Sequence, residues 1–558
     1  MTTWNLEADV VVVGSGGAAL TAAILAHDNG AKAVVLEKTN KLGGTTSVSG
    51  GAMWIPMNCH MKELGISDSR EEALAYCKKL TDGRAADVLV ETFVDTGHKA
   101  LDYLERHTPV RYVPMTMPDY HPEEKGAKPG GRSIEPAIYN LAELGEWKDK
   151  VRPNALPFMN AISCGELFDT YKVNIRPGNL PMDLVIQRMD NGLVVQGNSL
   201  IGGLLKACLD RNIPILLNTR AVELVVENSR VAGVRAQREG KDYFVRGEGG
   251  VVLACGGFEW NEELKAKYMP GVPTHPNSPP FNEGDGIIMA AQIGADLAHM
   301  HEAWWMPATS VPGEEYEGRP YSQLCLAERT CPHSILVNRK GRRFVNEAAN
   351  YNDMGKAFFH FNENGIGYRN VPCWAILDSH YREQYSLMTV APGDPDPEWM
   401  IKDDTLAGLA RKTGVDADGL AETVARFNSF VRGGKDLDFG RGNSAYDRYV
   451  GDTTAPNPVL GCIEKPPFYA AQIHPGTLGT KGGPRTNEHA QVLDVRGNVI
   501  AGLYAAGNTA APVSGPSYYG GGATIGIAVT FGYIAGIHAA KQATQKRTRS
   551  SQAGAASK

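Results

Sequence analysis

The chain has 558 residues, 42% of them hydrophobic and 21% charged, which suits a globular protein of two to four domains with a large core. A formal net charge of −6 leaves no cationic surface for nucleic acid, and the only basic run lies in the tail, Lys541 to Arg549. The nine cysteines, Cys59, Cys77, Cys164, Cys208, Cys255, Cys325, Cys331, Cys373 and Cys462, have no C-x-x-C spacing, so reduced thiols are expected rather than an iron–sulfur or covalently attached haem module.

Met1 to Leu6 has no basic region followed by an apolar stretch, so the cytoplasm is the expected compartment. Ala8-Asp9-Val10-Val11-Val12-Val13 is a β-branched run of the kind expected in a parallel strand covered on both faces. It leads into Gly14-Ser15-Gly16-Gly17-Ala18-Ala19, a helix from Leu20 to about Asn29, and a second strand, Ala33 to Leu36, closing on Glu37. Strand, glycine loop, helix, strand and acid together form a dinucleotide fingerprint, in which Gly14, Gly16, Gly17 and Ala18 bare the backbone to a pyrophosphate and Glu37 accepts the ribose hydroxyls. The fingerprint alone leaves NAD and FAD open.

A helical, Pro-rich excursion then runs to about Met182, followed by an expected helix at Asn198 to Leu209, a strand at Pro214 to Leu217, and a hairpin of Ala221 to Val226 with Val231 to Ala236. Val251-Val252-Leu253 ends in Ala254-Cys255-Gly256-Gly257-Phe258, and Gly284-Asp285-Gly286 follows. From about Met289 to Asp447 the composition turns to aromatics and short helices, with Ser334 to Glu347 reading as strand, turn and second strand. In the same stretch His299-Met300-His301-Glu302 has a metal-like look but no further ligands at suitable spacing; an ordinary strand and no metal are expected. Strands return at Phe468 to Ile473 and from Ala490 to Ala506. Near the end, Gly507-Asn508 and Ser517-Tyr518-Tyr519-Gly520-Gly521-Gly522-Ala523-Thr524-Ile525-Gly526 form a glycine-rich loop feeding an apolar helix, Gly520 to Ala540, read as buried rather than transmembrane.

The predicted fold class is α/β: a Rossmann-like dinucleotide-binding domain with an inserted α+β capping domain, which the resemblance given next makes an FAD-binding domain and a catalytic insertion. Residues 1–287 hold the first part of the FAD domain, 288–447 the insertion and 448–541 the completing part, while 542–558 are expected to be a disordered tail.

The loop Lys38 to Gly51, the turn after Val251 and Gly284-Asp285-Gly286 resemble the fumarate reductase and ketosteroid dehydrogenase flavoproteins, which implies FAD. By that resemblance, FAD contacts fall at Lys38, Gly43, Gly44, Thr45, Thr46, Ser49, Gly50 and Gly51, at Ala221, Val222, Ala254, Gly256 and Asp285, and at Gly507, Asn508, Ala523, Thr524 and Ile525. Relatives with covalent flavin carry a histidine in the loop after the second strand. Thr45, Thr46 and Ser47 stand there instead, so non-covalent FAD is expected.

Fumarate reductases place a proton-donating arginine four residues after the glutamate that matches Glu347; in this chain the position is Tyr351, which argues against a dicarboxylate and for a neutral ketone. To about Lys541 the sequence is similar to the 3-ketosteroid Δ1-dehydrogenases. The resemblance implies that Tyr518 and the Gly522 amide bind the ketone oxygen, that Tyr351 removes a proton, and that Tyr120 supports it. Two departures stand out. Tyr519 replaces the family's proline, implying a freer loop, and His474 replaces a small apolar residue, implying a more polar mouth.

The residues support the same chemistry on their own. Desaturating beside a ketone needs a donor pair for the carbonyl, a base for the acidified α-hydrogen and a hydride acceptor, here flavin N5. A phenol acts as base only if hydrogen bonds lower its pKa from about 10. The expected partners are a small apolar ketone and an external electron acceptor, a quinone or redox protein, with no nucleic acid and no transmembrane segment. A smaller cyclic ketone of cyclohexanone type, a fumarate-reductase-like enoate reductase, and a non-enzymatic flavin or pyridine-nucleotide binder remain as alternatives.

Overall fold

The computed structural model describes residues 2–270 and 274–556. The valine run becomes the strand Leu6–Val13, whose last six residues are all buried. It pairs in parallel with Ala33–Leu36 on one side and Lys241–Leu253 on the other. Both faces of such a strand are covered, which is why it is apolar throughout rather than alternating. Val499–Ala505 joins Lys241–Leu253 in parallel. The path of this eight-stranded sheet is Gln491–Leu493, Val499–Ala505, Lys241–Leu253, Leu6–Val13, Ala33–Leu36, Ile215–Leu216, with the expected hairpin observed as Thr219–Glu227 and Arg230–Arg238.

The helix Gly17–Asp28 lies against the last helix, Ala523–Ala556. A Cβ on Gly532 or Gly536 would stand 2.4 Å from the carbonyl oxygen of Ala18 or Ala22, so the two helices meet backbone to backbone. That contact accounts for the small residues of the last helix. Its stretch Ala523–Thr548 is long and apolar enough to cross a membrane, but 67% of the most apolar window is buried inside the protein, as in a core helix. The segment 542–558, expected to be disordered, continues this helix as far as Ala556. Alanine, glutamine, lysine and arginine favour helix, and Lys546 and Arg547 pair with Glu248 and Asp9. Residues 557 and 558 lie outside the described residues.

A second, seven-stranded sheet has the path Gln323–Leu324, Ala303–Thr309, Phe468–Thr480, Cys373–Leu377, Ser334–Asn338 and is mainly antiparallel. Phe468–Thr480, expected to complete the first domain, is instead the central strand here, bonded to both Ala303–Thr309 and Cys373–Leu377. The second sheet therefore draws on residues beyond 447. The expected strand after the turn at Gly341 is also absent. Ser334–Asn338 pairs with Cys373–Leu377, while Arg343 is buried with its guanidinium forked onto Glu347 at 2.6 and 2.7 Å and onto Asp436 at 2.9 and 3.0 Å. A ladder strand would pull that side chain out of its ion pairs. His299 to Glu302 form a turn leading into Ala303–Thr309, not a strand.

A small sheet of Met53–Trp54, Ser133–Pro136 and Tyr112–Pro114 supports the loop that carries Tyr120. Arg132, with no exposed surface, clamps that loop by pairing with Asp68 at 2.7 Å and Asp119 at 2.8 Å, and Trp54 Nε1 donates to Asp119 at 2.7 Å.

Candidate active site

One cavity of about 860 Å³ runs from the glycine loop of the first sheet to the second sheet. At its first end the chain leaves Val13 at Gly14, with φ of 107°, where a Cβ would stand 2.3 Å from the carbonyl oxygen of Ala254. Only glycine turns there, and the helix that follows starts at Gly16 with no side-chain cap. Its first turn thus points its amides at an anion site, the Gly17 amide being held by the Thr46 hydroxyl at 3.2 Å. Glu37 is fixed by the Ser15 hydroxyl at 2.5 Å and by the Thr39 amide and hydroxyl at 2.9 and 3.0 Å. Lys38 pairs with Glu283 at 2.9 Å and Asp285 at 3.1 Å, which ties the second strand to the Gly284 turn. A bare-backbone cradle beside a fixed acid fits the pyrophosphate and ribose of FAD.

Four tyrosines from four segments meet at the other end. Tyr351 opens the helix Tyr351–Lys356, capped by Asn350, whose side chain accepts the Asp353 amide at 3.1 Å. Tyr120 meets Tyr351, Tyr446 and Tyr518 edge-on, with centroids 5.4, 4.9 and 5.2 Å apart, and Tyr351 meets Tyr518 at 5.6 Å. Tyr120, Tyr351, Tyr518 and Gly522 line the cavity, with Tyr446 behind them. Thr524 donates its hydroxyl to the Tyr518 oxygen at 3.0 Å, which leaves the phenol's own proton free for a ligand.

The loop of Tyr518 is pinned from outside the cavity. Lys481, fully buried, donates to the Ser517 carbonyl at 2.7 Å and lies 4.2 Å from the Trp304 ring; burial drives its pKa well below the usual amine value. Lys356 donates to the Pro516 carbonyl at 2.5 Å. Trp304 packs on Tyr518 at 4.8 Å and donates to Asn508 at 3.0 Å. Tyr519 turns the opposite way, packing on Trp54, Tyr76 and Phe93, sharing a hydrogen bond with Thr81 at 2.7 Å and donating to the Val513 carbonyl at 3.2 Å. The tyrosine in place of proline therefore anchors the loop rather than freeing it, and Tyr518 is the phenol in the cavity.

Burial pushes all four phenols above their ordinary value. For Tyr351 the rise is large, strengthened by Tyr518 nearby and opposed by a hydrogen bond from Tyr120. The expectation of a lowered pKa for Tyr351 is thus overturned, because desolvation outweighs the hydrogen bond. Tyr518 is raised by burial but drawn back by hydrogen bonds from Thr524 and Tyr351 and from the Thr524 and Gly522 amides. Both amides thus point at the Tyr518 oxygen itself. Burial pushes Tyr446 up to about 12, with Arg329 opposing. Arg329 is itself fully buried and donates to the carbonyls of Cys325, Glu347 and Ala349.

Of the residues expected at FAD, Gly14, Gly16, Gly17, Ala18, Glu37, Lys38, Gly44, Thr45, Thr46, Ser49, Gly50, Gly51, Ala221, Ala254, Gly256, Asp285, Gly507, Asn508, Thr524 and Ile525 line the cavity. Gly43, Val222 and Ala523 do not. Gly43 lies one step behind, its amide donating to Ser15 Oγ at 3.1 Å; Val222 is half-buried on its hairpin strand, and Ala523 is buried in the core. His474, expected at the mouth, is also outside the lining; it stacks on His275 at 4.0 Å, and burial lowers its pKa to about 4. The sequence reading missed Ser15, Thr39, Trp304, Lys481, Tyr446 and Arg329. Only Trp304 had a visible signal, the unbroken Trp304-Trp305 pair in the aromatic stretch.

The FAD binding domain family model matches residues 9–525. The 3-oxosteroid 1-dehydrogenase of Mycobacterium tuberculosis is 38% identical, covering 97% of this chain and 99% of that protein. The 4-oxocyclohexanecarboxylate 2-dehydrogenase of Sinomonas cyclohexanicum is 40% identical, over 96% of this chain and 93% of its own length. Among solved structures, the 3-ketosteroid Δ1-dehydrogenase of Sterolibacterium denitrificans, in complex with 1,4-androstadiene-3,17-dione, superimposes with a TM-score of 0.89 at 37% identity, covering 96% of this chain and 99% of that one.

Proposed function

The chain belongs to the FAD binding domain family, in the company of the 3-oxosteroid 1-dehydrogenases, and from that premise we propose that it is an FAD-dependent 1,2-desaturase of 3-ketosteroids. The observation that carries this reading is the meeting of Tyr518, Gly522, Tyr351 and Tyr120 in one cavity whose three lining cations are already paired: Lys38 and Arg220 with Glu283 and Asp285, and Arg152 with Glu317. A site for a dicarboxylate would keep a guanidinium free for it.

In this reading Tyr518 and the Gly522 amide donate to the C3 carbonyl oxygen and stabilise the charge that grows there as the α-proton leaves. Tyr351, acting as the phenolate after its own proton has passed to solvent, takes that proton and ends as the neutral phenol. Tyr120 donates to Tyr351 and is packed by Tyr446, so the chain of phenols, with Arg329 beside its last member, lowers the cost of the phenolate at Tyr351. Bound non-covalently at the glycine cradle, FAD supplies the two-electron acceptor for the β-hydride. An external acceptor, a quinone or redox protein, then takes the electrons, and we place the reaction in the cytoplasm.

A second reading, desaturation of a smaller oxocyclohexane, is favoured by the 40% identity to the 4-oxocyclohexanecarboxylate enzyme. Anaerobic mixing of the yellow holoenzyme separates the two. Androst-4-ene-3,17-dione should bleach the flavin and yield the 1,4-diene, while succinate and 4-oxocyclohexanecarboxylate leave it oxidised. Bleaching by the carboxylate alone would favour the second reading.

A further inference from the structure

The helix Tyr351–Lys356 does more than present its first residue. It lies so close to the strand Ala303–Thr309 that a Cβ on Gly355 would stand 2.8 Å from the Trp305 side chain and 2.9 Å from the Met306 amide nitrogen. Met354, fully buried, packs in a cluster with Leu336, Phe358 and Ile473. A short helix seated this tightly on a sheet has little room to slide.

Two of its side chains reach the segments that carry the other cavity phenols. Asp353 pairs at 2.9 Å with Nε2 of His121, the residue directly after Tyr120, and Lys356 donates at 2.5 Å to the carbonyl of Pro516, two residues before Tyr518. Both contacts involve a charged group, which makes them stronger than neutral hydrogen bonds. Each segment is also fixed to its own surroundings, Asp119 by Arg132 at 2.8 Å and the Ser517 carbonyl by Lys481 at 2.7 Å. Those clamps set each loop against its scaffold; the two arms of the helix set both loops against Tyr351. Asp353, His121 and Lys356 do not line the cavity, so any effect they have on the reaction passes through the phenols.

We propose that Lys356 and Asp353 are positioning residues for the desaturation: Lys356 sets the Tyr518 phenol, and Asp353, through His121, sets the Tyr120 phenol, each in register with Tyr351. The proposal rests on the ketone-desaturase reading and adds to it the means by which base and carbonyl donor are held at one spacing. That spacing is demanding, because the carbonyl oxygen and the α-hydrogen are a fixed distance apart in the substrate, and a misplacement of about 1 Å can cost about a hundredfold in rate.

Rapid mixing of the holoenzyme with androst-4-ene-3,17-dione reads the bleaching rate per bound flavin separately from the substrate Kd. Lys356→Met should lower the rate by about twentyfold while Kd changes by no more than about threefold. Lys356→Arg, whose guanidinium still donates to a carbonyl, should stay within about threefold of the wild-type rate, and Asp353→Ala should cost about fivefold. Double mutants separate positioning from general damage. The Lys356→Met loss should shrink to about threefold or less in a Tyr518→Phe background, where the Gly522 amide alone holds the oxygen, yet remain about twentyfold with Tyr120→Phe. The Asp353→Ala loss should do the reverse, vanishing with Tyr120→Phe and persisting with Tyr518→Phe. An unchanged rate in Lys356→Met, a loss that Lys356→Arg shares, a loss carried by Kd, or losses equal in both backgrounds would each overturn the proposal. Failure of the wild-type flavin to bleach would instead refute the desaturase reading itself.

Discussion

The two ends of the cavity are built by opposite means. At the nucleotide end the protein presents backbone: a Cβ on Gly14 would stand 2.3 Å from the Ala254 carbonyl oxygen, and one on Gly51 would stand 2.4 Å from the backbone of Gln196. At the ketone end it presents side chains, four phenols drawn from segments as far apart as Tyr120 and Tyr518. On the proposed function, the difference follows from what each end would recognise. A pyrophosphate needs several amides close together, which a single glycine loop supplies. A neutral ketone needs one donor pair and one base at set angles, which only tertiary packing provides.

If that contrast is sound, substitutions at the two ends should fail differently. The largest effect should come from Gly14→Ala, which adds both a clash and a φ of 107° that alanine resists. We expect it to destabilise the fold by about 3 kcal/mol or more and to yield protein without flavin, read as lost absorbance and a lower Tm. At the ketone end flavin should stay bound while turnover falls. Tyr518→Phe should raise the barrier by about 2 to 4 kcal/mol with a smaller change in substrate Kd. Tyr519→Phe should lower Tm instead, since that hydroxyl serves Thr81 and Val513; the reverse pattern would show that the loop presents the other phenol. Tyr446→Phe, one step behind the cavity, should cost about tenfold in turnover by weakening the support of Tyr120.

The smallest effect concerns pH. Burial would lower the pKa of His121, but hydrogen bonds to Asp353 and Glu123 outweigh it and raise the ring to about 9; Asp353, beside Tyr351 on the same helix, is held well below the usual carboxylate range. The raised histidine gives stability that is full below its unfolded pKa of about 6.5 and is lost as pH climbs through about 9. His121→Asn should flatten that part of the stability profile by on the order of 1 kcal/mol, measured by denaturant unfolding between pH 6 and 10.

The same contrast explains what could be read in the sequence. Leu6–Val13, the Gly14 loop and Glu37 form one continuous stretch, so local pattern was enough to find the nucleotide end. The phenols at the other end were reached only through resemblance to a family. Tyr446 escaped because Ser444-Ala445-Tyr446-Asp447 looks like any capped helix start. The fate of Tyr519 was hidden because its partners, Trp54, Tyr76 and Phe93, lie more than 400 positions away. Phe468–Thr480 was assigned to the wrong sheet for the same reason: alternation marks a strand but does not name its neighbours. Local composition also misjudged the tail, where ion pairs to Glu248 and Asp9 extend a helix that the terminal sequence alone would not suggest.

The central claim is that a phenol, Tyr351, takes the α-proton, and rapid mixing of Tyr351→Phe holoenzyme with androst-4-ene-3,17-dione tests it most directly. The account predicts that the flavin stays bound and the substrate Kd changes by no more than about threefold, while the rate of flavin bleaching falls by roughly a hundredfold or more. Bleaching at the wild-type rate would contradict it and assign the proton to another group.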